Sequence, residues 1–269
     1  MTSHSLEARF GEPSAVNHVS HSLASHVNLD RLIDAAVTND DPDDLQAIIH
    51  PDITFRYNSV NCIIGKRGSG KTHSVFRNIL KLAYLDPEYC FNYTQIHYIT
   101  DKLRDDTVEK FKKLLPSKLF FNWVPTTNAL KNINIVARAK AELEKSKCIE
   151  ALNAEHLPEG TIPHTLVIFD DCIGLFKKDS ALSKKLFENR QSRITYFLLL
   201  QDVGGLSPSM KANLDSMTLF GGFPKHKWNV LFYQLPPTDF TYEEYADLDV
   251  EDAVLFDYVD NSSRVITRA

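Results

Sequence analysis

The chain has no run of about 18 apolar residues, so an ordinary membrane-spanning helix is not expected. Its first residues, MTSHSLEARFGEPS, lack the basic and then apolar blocks of a secretory signal. A compartment open to the cytosol or nucleus is therefore expected. Cysteine is scarce: Cys62, Cys90, Cys148 and Cys172 form no Cys-x-x-Cys pair, and no histidine stands beside them at zinc-ligand spacing. Cys62 and Cys172 adjoin apolar runs and read as buried reduced thiols. There is no internal repeat. Basic charge is thin at both ends: residues 1–52 and 238–269 each carry nine Asp/Glu against two Lys/Arg. Residues 53–237 carry 26 basic and 17 acidic side chains, so a net charge of −5 hides a basic centre. Such a centre attracts a polyanion or simply solvates a face, and charge alone does not decide between them.

What is present is a strand–helix rhythm. Residues 1–27, with His4, His18, His21 and His26, read as a mobile polar tail rather than a metal site. Leu29–His50 has helical spacing around an acidic DDPDD turn. Residues 1–52 are thus expected to be an acidic, partly disordered extension with short helices, and 53–269 to form the main domain. Strands are expected at Ser59–Ile64, Gln95–Thr100, Leu119–Val124, Thr165–Phe169, Ile194–Leu200, Met217–Phe220 and Asn229–Leu235. Helices are expected at Lys71–Leu85, Asp105–Leu115, Asn128–Ile149 (interrupted by loop residues) and Ser180–Asn189. A terminal hairpin is expected from Ala253–Val259 and Arg264–Thr267. The alternation implies an α/β fold, a mostly parallel sheet with helices on both faces.

The strongest motif is Gly65-Lys66-Arg67-Gly68-Ser69-Gly70-Lys71-Thr72, which matches G-x-x-x-x-G-K-S/T at every fixed position. It follows an apolar strand and opens a helix, as phosphate binding requires. Glycines let the backbone curl so that its N–H groups converge on phosphate oxygens, and the helix N-terminus adds partial positive charge. Lys71 is expected to reach the β and γ phosphates of ATP, and the Thr72 hydroxyl to ligate Mg²⁺.

A second Mg²⁺ contact is expected at the end of a neighbouring buried strand. Leu166-Val167-Ile168-Phe169-Asp170 has that form, so Asp170 is the metal-side candidate. Asp171, directed away from it, reads either as the group that orients the attacking water or as an exposed loop carboxylate. Gln201, after the apolar run Leu198-Leu199-Leu200, reads as a γ-phosphate sensor if its strand neighbours that of Asp170, or otherwise as a plain strand terminus. Arg190 and Arg193 precede that strand. Either is a candidate for an arginine supplied to an adjacent subunit, and either reads equally as a solvated loop residue.

Taken together, GKRGSGKT at 65–72, LVIFDDC at 166–172 and NRQSRITYFLLLQD at 189–202 resemble the FtsK–HerA superfamily of P-loop ATPases. Within it they are most similar to the DNA-packaging ATPases of large double-stranded DNA viruses and related mobile elements. Only the Arg of that family's Gly-Arg-His-like segment is retained, in Asn189-Arg190-Gln191, which favours Arg190 over Arg193. AVLFDYVD is similar to the strand closing such domains. The resemblance implies a RecA-like core in which one strand separates the acidic strand from the P-loop strand. It also implies ring oligomers threading double-stranded DNA, capsid or portal-vertex partners, and a site in the virus factory, the nucleus or the virion. Lys177, Lys178, Lys184 and Lys185 are candidate DNA contacts on that reading. A helicase or DNA-segregation ATPase, a P-loop nucleoside kinase and a non-hydrolysing assembly protein are the competing functions.

Overall fold

The computed structural model describes residues 58–85, 93–115, 119–153, 164–178, 180–202, 204, 206–233 and 239–266, a few of them as backbone only. The expected N-terminal extension, its histidine-rich tail and the Leu29–His50 helix lie outside the described residues.

In chain order the elements begin with β1 (Val60–Ile64), α1 (Lys71–Leu85), β2 (Tyr93–Ile99), α2 (Asp106–Leu114), β3 (Phe120–Val124) and α3 (Ala129–Asn153). There follow β4 (His164–Asp170), α4 (Ile173–Lys178), α5 (Ser180–Phe187), α6 (Asn189–Ser192), β5 (Ile194–Leu200), α7 (Pro208–Lys211) and β6 (Ser216–Phe220). The chain continues with α8 (Lys225–Phe232), α9 (Tyr242–Ala246), β7 (Ala253–Asp257) and β8 (Ser262–Ile266).

The strands form one eight-stranded sheet in the order β3-β2-β4-β5-β1-β6-β7-β8. The first six in that order run parallel, while β7 and β8 are added antiparallel as the expected terminal hairpin. One strand, β5, separates acidic β4 from phosphate-loop β1, as the resemblance implies.

Side chains alternate across a strand, so an apolar run buried on both faces feeds two cores. On β5, Ile194, Tyr196, Leu198 and Leu200 join one core, and Phe197 and Leu199 join the other. Val75, Phe76, Ile79 and Leu80 of α1 and Val108, Phe111 and Leu114 of α2 cover the second face. Helices α3, α5 and α8 cover the first, through residues such as Ile133, Leu182 and Trp228. Leu198 is completely buried, and burial of a leucine contributes about 1.5–3 kcal/mol.

Two expectations need correction. Asn229–Leu235 is not a strand, because its described part lies in helix α8 and its turn, after Pro224 at the N-cap. Trp228, Leu231 and Phe232 recur at helical spacing and are buried, and Trp228 and Phe232 pack on Phe256, which outweighs the strand propensity of the Val-Leu-Phe-Tyr run. Helix α3 also runs unbroken where interruptions were expected. The short helix α9 carries a reciprocal capping box between Thr241 and Glu244.

Lys140 on α3 donates to the Arg193 carbonyl at 2.6 Å. Burial, and then the Arg193 charge, push its ammonium down to about 7. Between that value and the ordinary lysine value of about 10.4, the unfolded chain binds a proton that the native chain does not. Stability therefore rises with pH through this window. Denaturant midpoints across it should rise more steeply for the wild type than for Lys140→Met, and parallel profiles would refute this assignment.

Candidate functional site

The β1 strand ends at Ile64 and the chain turns through Gly65–Gly70 before α1 begins at Lys71. The turn is pinned at its start, where Gly65 N–H donates to the Leu200 carbonyl at 3.0 Å. Gly68 and Gly70 adopt φ of 83° and 94°, a region that side chains with Cβ avoid. Added Cβ atoms there would meet nothing within 4 Å, so the loop opens onto free space. Lys71 is buried and its Nζ donates to the Gly65 and Lys66 carbonyls at 2.7 and 3.0 Å. Burial lowers its ammonium from the ordinary value against the pull of Asp171 and Asp170.

The opposite wall comes from β4 and β5. Asp170 ends β4 beside Leu199 and is almost fully buried. Its Oδ2 accepts from the Tyr98 hydroxyl at 2.5 Å and from Lys102 Nζ at 2.6 Å. Burial and the neighbouring Asp170 charge push the Tyr98 phenol far up, so it stays a donor. Desolvation works against the Lys102 ammonium, but its bonds and charge contacts with Asp170 and Asp105 hold it above the ordinary value. Asp171 is exposed just beyond the strand with φ 57°, and its N–H donates to the Leu199 carbonyl at 3.1 Å. Gln201 Nε2 donates to Asp171 Oδ2, so the amide and the carboxylate form one unit.

These groups face one cleft of about 620 Å³, whose lining includes Gly68, Gly70, Lys71, Thr72, Asp170, Asp171 and Gln201. Lys102, Asp105 and His73 complete much of the wall. The loop fits a phosphate: its glycine curl faces open space, Lys71 Nζ bonds two loop carbonyls, and the buried Ser69 hydroxyl has no partner among the described residues. Thr72 and Asp170, a hydroxyl and a carboxylate on facing walls, fit the oxygen donors that Mg²⁺ takes together with phosphate.

Arg190 is not brought to this cleft. It lies on α6, before the start of β5, and its guanidinium bonds Asp215 Oδ1 at 3.2 Å. The seven residues of β5 place it about 23 Å from the strand end that carries Gln201. Arg193 caps α6 with φ 51°, also at the far end. Lys184 is exposed on α5, while Lys185 pairs with Glu188 at 2.6 Å; the side chains of Lys177 and Lys178 lie outside the described residues. Cys62 and Cys172 are free and buried, as expected; burial pushes the Cys172 thiol up to about 12. No helix among the described residues is long and apolar enough to cross a membrane.

Sequence reasoning missed Lys102 and Tyr98. The rule that found Asp170, a polar residue just past an apolar strand, also fits Asp101-Lys102 after QIHYIT. It needed only the pairing of β2 with β4 to connect them.

No protein-family model matches the chain. Over 160 residues it is 27% identical to the uncharacterized protein L437 of Acanthamoeba polyphaga mimivirus, covering 58% of this chain and 50% of that protein. The chain thus spans about half the length of that relative. Among solved structures it is similar to the genome packaging NTPase B204 from Sulfolobus turreted icosahedral virus 2 in complex with ATP-gammaS. The TM-score is 0.56 at 15% identity, over 79% of this chain and 98% of that one. It is also similar to EssC (ATPases 2 and 3) from Geobacillus thermodenitrificans, with TM-score 0.53, 16% identity, and coverage of 77% and 39%. For the cytoplasmic domain of the Thermomonospora curvata type VII secretion ATPase EccC the values are 0.52, 14%, 78% and 25%. At such identities the likeness is one of fold: the chain has the RecA-like P-loop NTPase fold of these ATPases.

The loop geometry leaves no room for a side chain at Gly65. A Cβ there would lie 2.3 Å from Ser69 Oγ and 3.0 Å from Phe220. Gly65→Ala should cost about 1–3 kcal/mol, as overpacking does, and abolish the rise in melting temperature given by ATPγS. Unchanged stabilisation by the nucleotide would contradict this reading of the loop.

Proposed function

We propose that the chain is an ATP-driven double-stranded DNA translocase that packages a viral genome, hydrolysing ATP to ADP and phosphate. The observation that carries this reading is the convergence of Asp170, Asp171 and Gln201 on the glycine loop from the ends of β4 and β5. The fold shared with a genome packaging NTPase and the sequence relative from a mimivirus support the viral assignment. On this reading the protein works in the virus factory or nucleus of an infected cell, or on the virion, with capsid or portal-vertex partners.

Gly65–Thr72 would hold the phosphates through loop N–H groups, Lys71 and the Ser69 hydroxyl, and Thr72 with Asp170 would hold Mg²⁺. A bound Mg²⁺ supplies Lewis-acid polarisation of phosphoryl oxygens. Asp171, fixed by the Gln201 amide, would accept a proton from the attacking water and orient it. Gln201 lines the cleft directly after the last residue of β5, so its bond to Asp171 links the state of the site to the strand. Burial lowers the Lys71 ammonium from its ordinary value, and the Asp171 and Asp170 carboxylates oppose that effect.

Arg190 enters only from a neighbouring copy in a ring. Its distance from the cleft in its own chain, and its exposed position at the opposite end of the strands, suit that role. A helicase or segregation ATPase of the same fold class is the nearest alternative, because EssC and the type VII secretion ATPase EccC share the fold, so the fold by itself does not select packaging.

ATP turnover with and without duplex DNA tests the proposal. Wild type should be stimulated by duplex DNA and yield no phosphorylated nucleoside. Asp171→Asn should lose about 10²–10⁴-fold, the usual share of a general base. Arg190→Ala should lose about 10³-fold or more, the share of a trans-acting arginine. Mixing Arg190→Ala with Lys71→Ala subunits should restore part of the activity. Turnover indifferent to DNA, with no recovery in the mixture, would overturn the proposal.

A further inference from the structure

The cation that meets the β4 carboxylate has no part in the roles assigned above. Lys102 lies in the loop between β2 and α2, with Nζ 2.6 Å from Asp170 Oδ2 and 3.3 Å from Asp105 Oδ2. This loop is firmly built. Thr100 N–H donates to the Val124 carbonyl at 3.1 Å, and Lys102 N–H to Thr100 Oγ1 at 3.2 Å. The Trp123 indole N–H donates to the Lys102 carbonyl at 3.1 Å, and Asp101 accepts from the Thr126 N–H and hydroxyl. Asp105 in turn caps α2 by accepting from Thr107 and Val108 N–H.

Asp170 is only 2% exposed, so its charge needs protein partners in place of water. Lys102 and Tyr98 supply them, both on Oδ2. A metal held with Thr72 and phosphate needs the same carboxylate, and an ammonium and a divalent cation repel each other at such range. Asp105 is the second carboxylate already within reach of Lys102, and both residues line the cleft.

We propose that Lys102 is the resident counter-ion of Asp170 and a positioning residue of the metal site: the incoming cation displaces its ammonium, which stays with Asp105. This rests on the reading of the cleft as a Mg²⁺–nucleotide site. Without metal, Lys102 shields arriving phosphates from a buried carboxylate. With metal, that shielding is redundant. Loss of the lysine therefore weakens metal-free binding selectively and eases metal entry.

The test is equilibrium binding of ATPγS to the full chain, in excess Mg²⁺ and in EDTA, for wild type, Lys102→Met and Lys102→Arg. In Lys102→Met the ratio of the metal-free to the Mg²⁺-loaded dissociation constant should rise about tenfold or more, equivalent to at least 1.4 kcal/mol. Lys102→Arg keeps the charge and should restore a ratio near that of wild type. Lys102→Gln carries the same expectation as Met, should the Met variant fold poorly. Equal weakening under both conditions, or no change, would overturn the proposal while leaving the nucleotide site standing. Failure of wild type to bind ATPγS under either condition would sink the nucleotide reading itself, and this inference with it.

Discussion

The site depends on one constraint, the register of three parallel strands. Ile64 pairs with Leu200 and Asp170 with Leu199, so β1, β5 and β4 end at one level. Beyond those ends, Gly65 N–H bonds the Leu200 carbonyl and Asp171 N–H the Leu199 carbonyl. Strand β5 thus sets both the start of the phosphate loop and the position of the acidic pair. Asp170 continues the row of Leu166 and Ile168, on the face that α1 and α2 cover. A slip of one residue would turn it into the opposite apolar core, a change that buried charge forbids.

The same register concentrates charge where water is scarce. Lys71, Lys102, Asp170 and Asp171 share one cleft, and two of them are buried. Each buried charge is met by a specific partner: loop carbonyls for Lys71, the Tyr98 hydroxyl and Lys102 for Asp170. Removing either partner from such a pair leaves a charge without solvation, which is why these contacts hold the walls in place. The partners of Lys71 are the Gly65 and Lys66 carbonyl oxygens, so its side chain ties the start of α1 back onto the loop.

Much of this was legible in the chain itself, because phosphate loops and buried strands are local patterns. GKRGSGKT announced the turn and helix, and LVIFDD and FLLLQD announced strands ending in polar groups. The hairpin followed from Asp260-Asn261-Ser262-Ser263 between two short apolar runs. What escaped is what pairing decides. Tyr98 and Lys102 become neighbours of Asp170 only when β2 lies beside β4, 68 residues or more along the chain. Helix α8 was misread because Val230 to Tyr233 favour strands locally, while the packing of Trp228 and Phe232 on Phe256 favours a helix. Arg190 was singled out with Arg193 from its place before β5 and preferred by resemblance, and its distance from the cleft follows from the length of β5.

The central claim is that the β4 carboxylate and the hydroxyl at the start of α1 jointly serve one metal ion that arrives with nucleotide. Mn²⁺ in place of Mg²⁺, followed by its electron paramagnetic resonance signal, tests this directly. The account predicts that Mn²⁺ is taken up with ATPγS by the wild type and that uptake is lost in both Thr72→Ala and Asp170→Asn. Undiminished uptake in those two variants would contradict it.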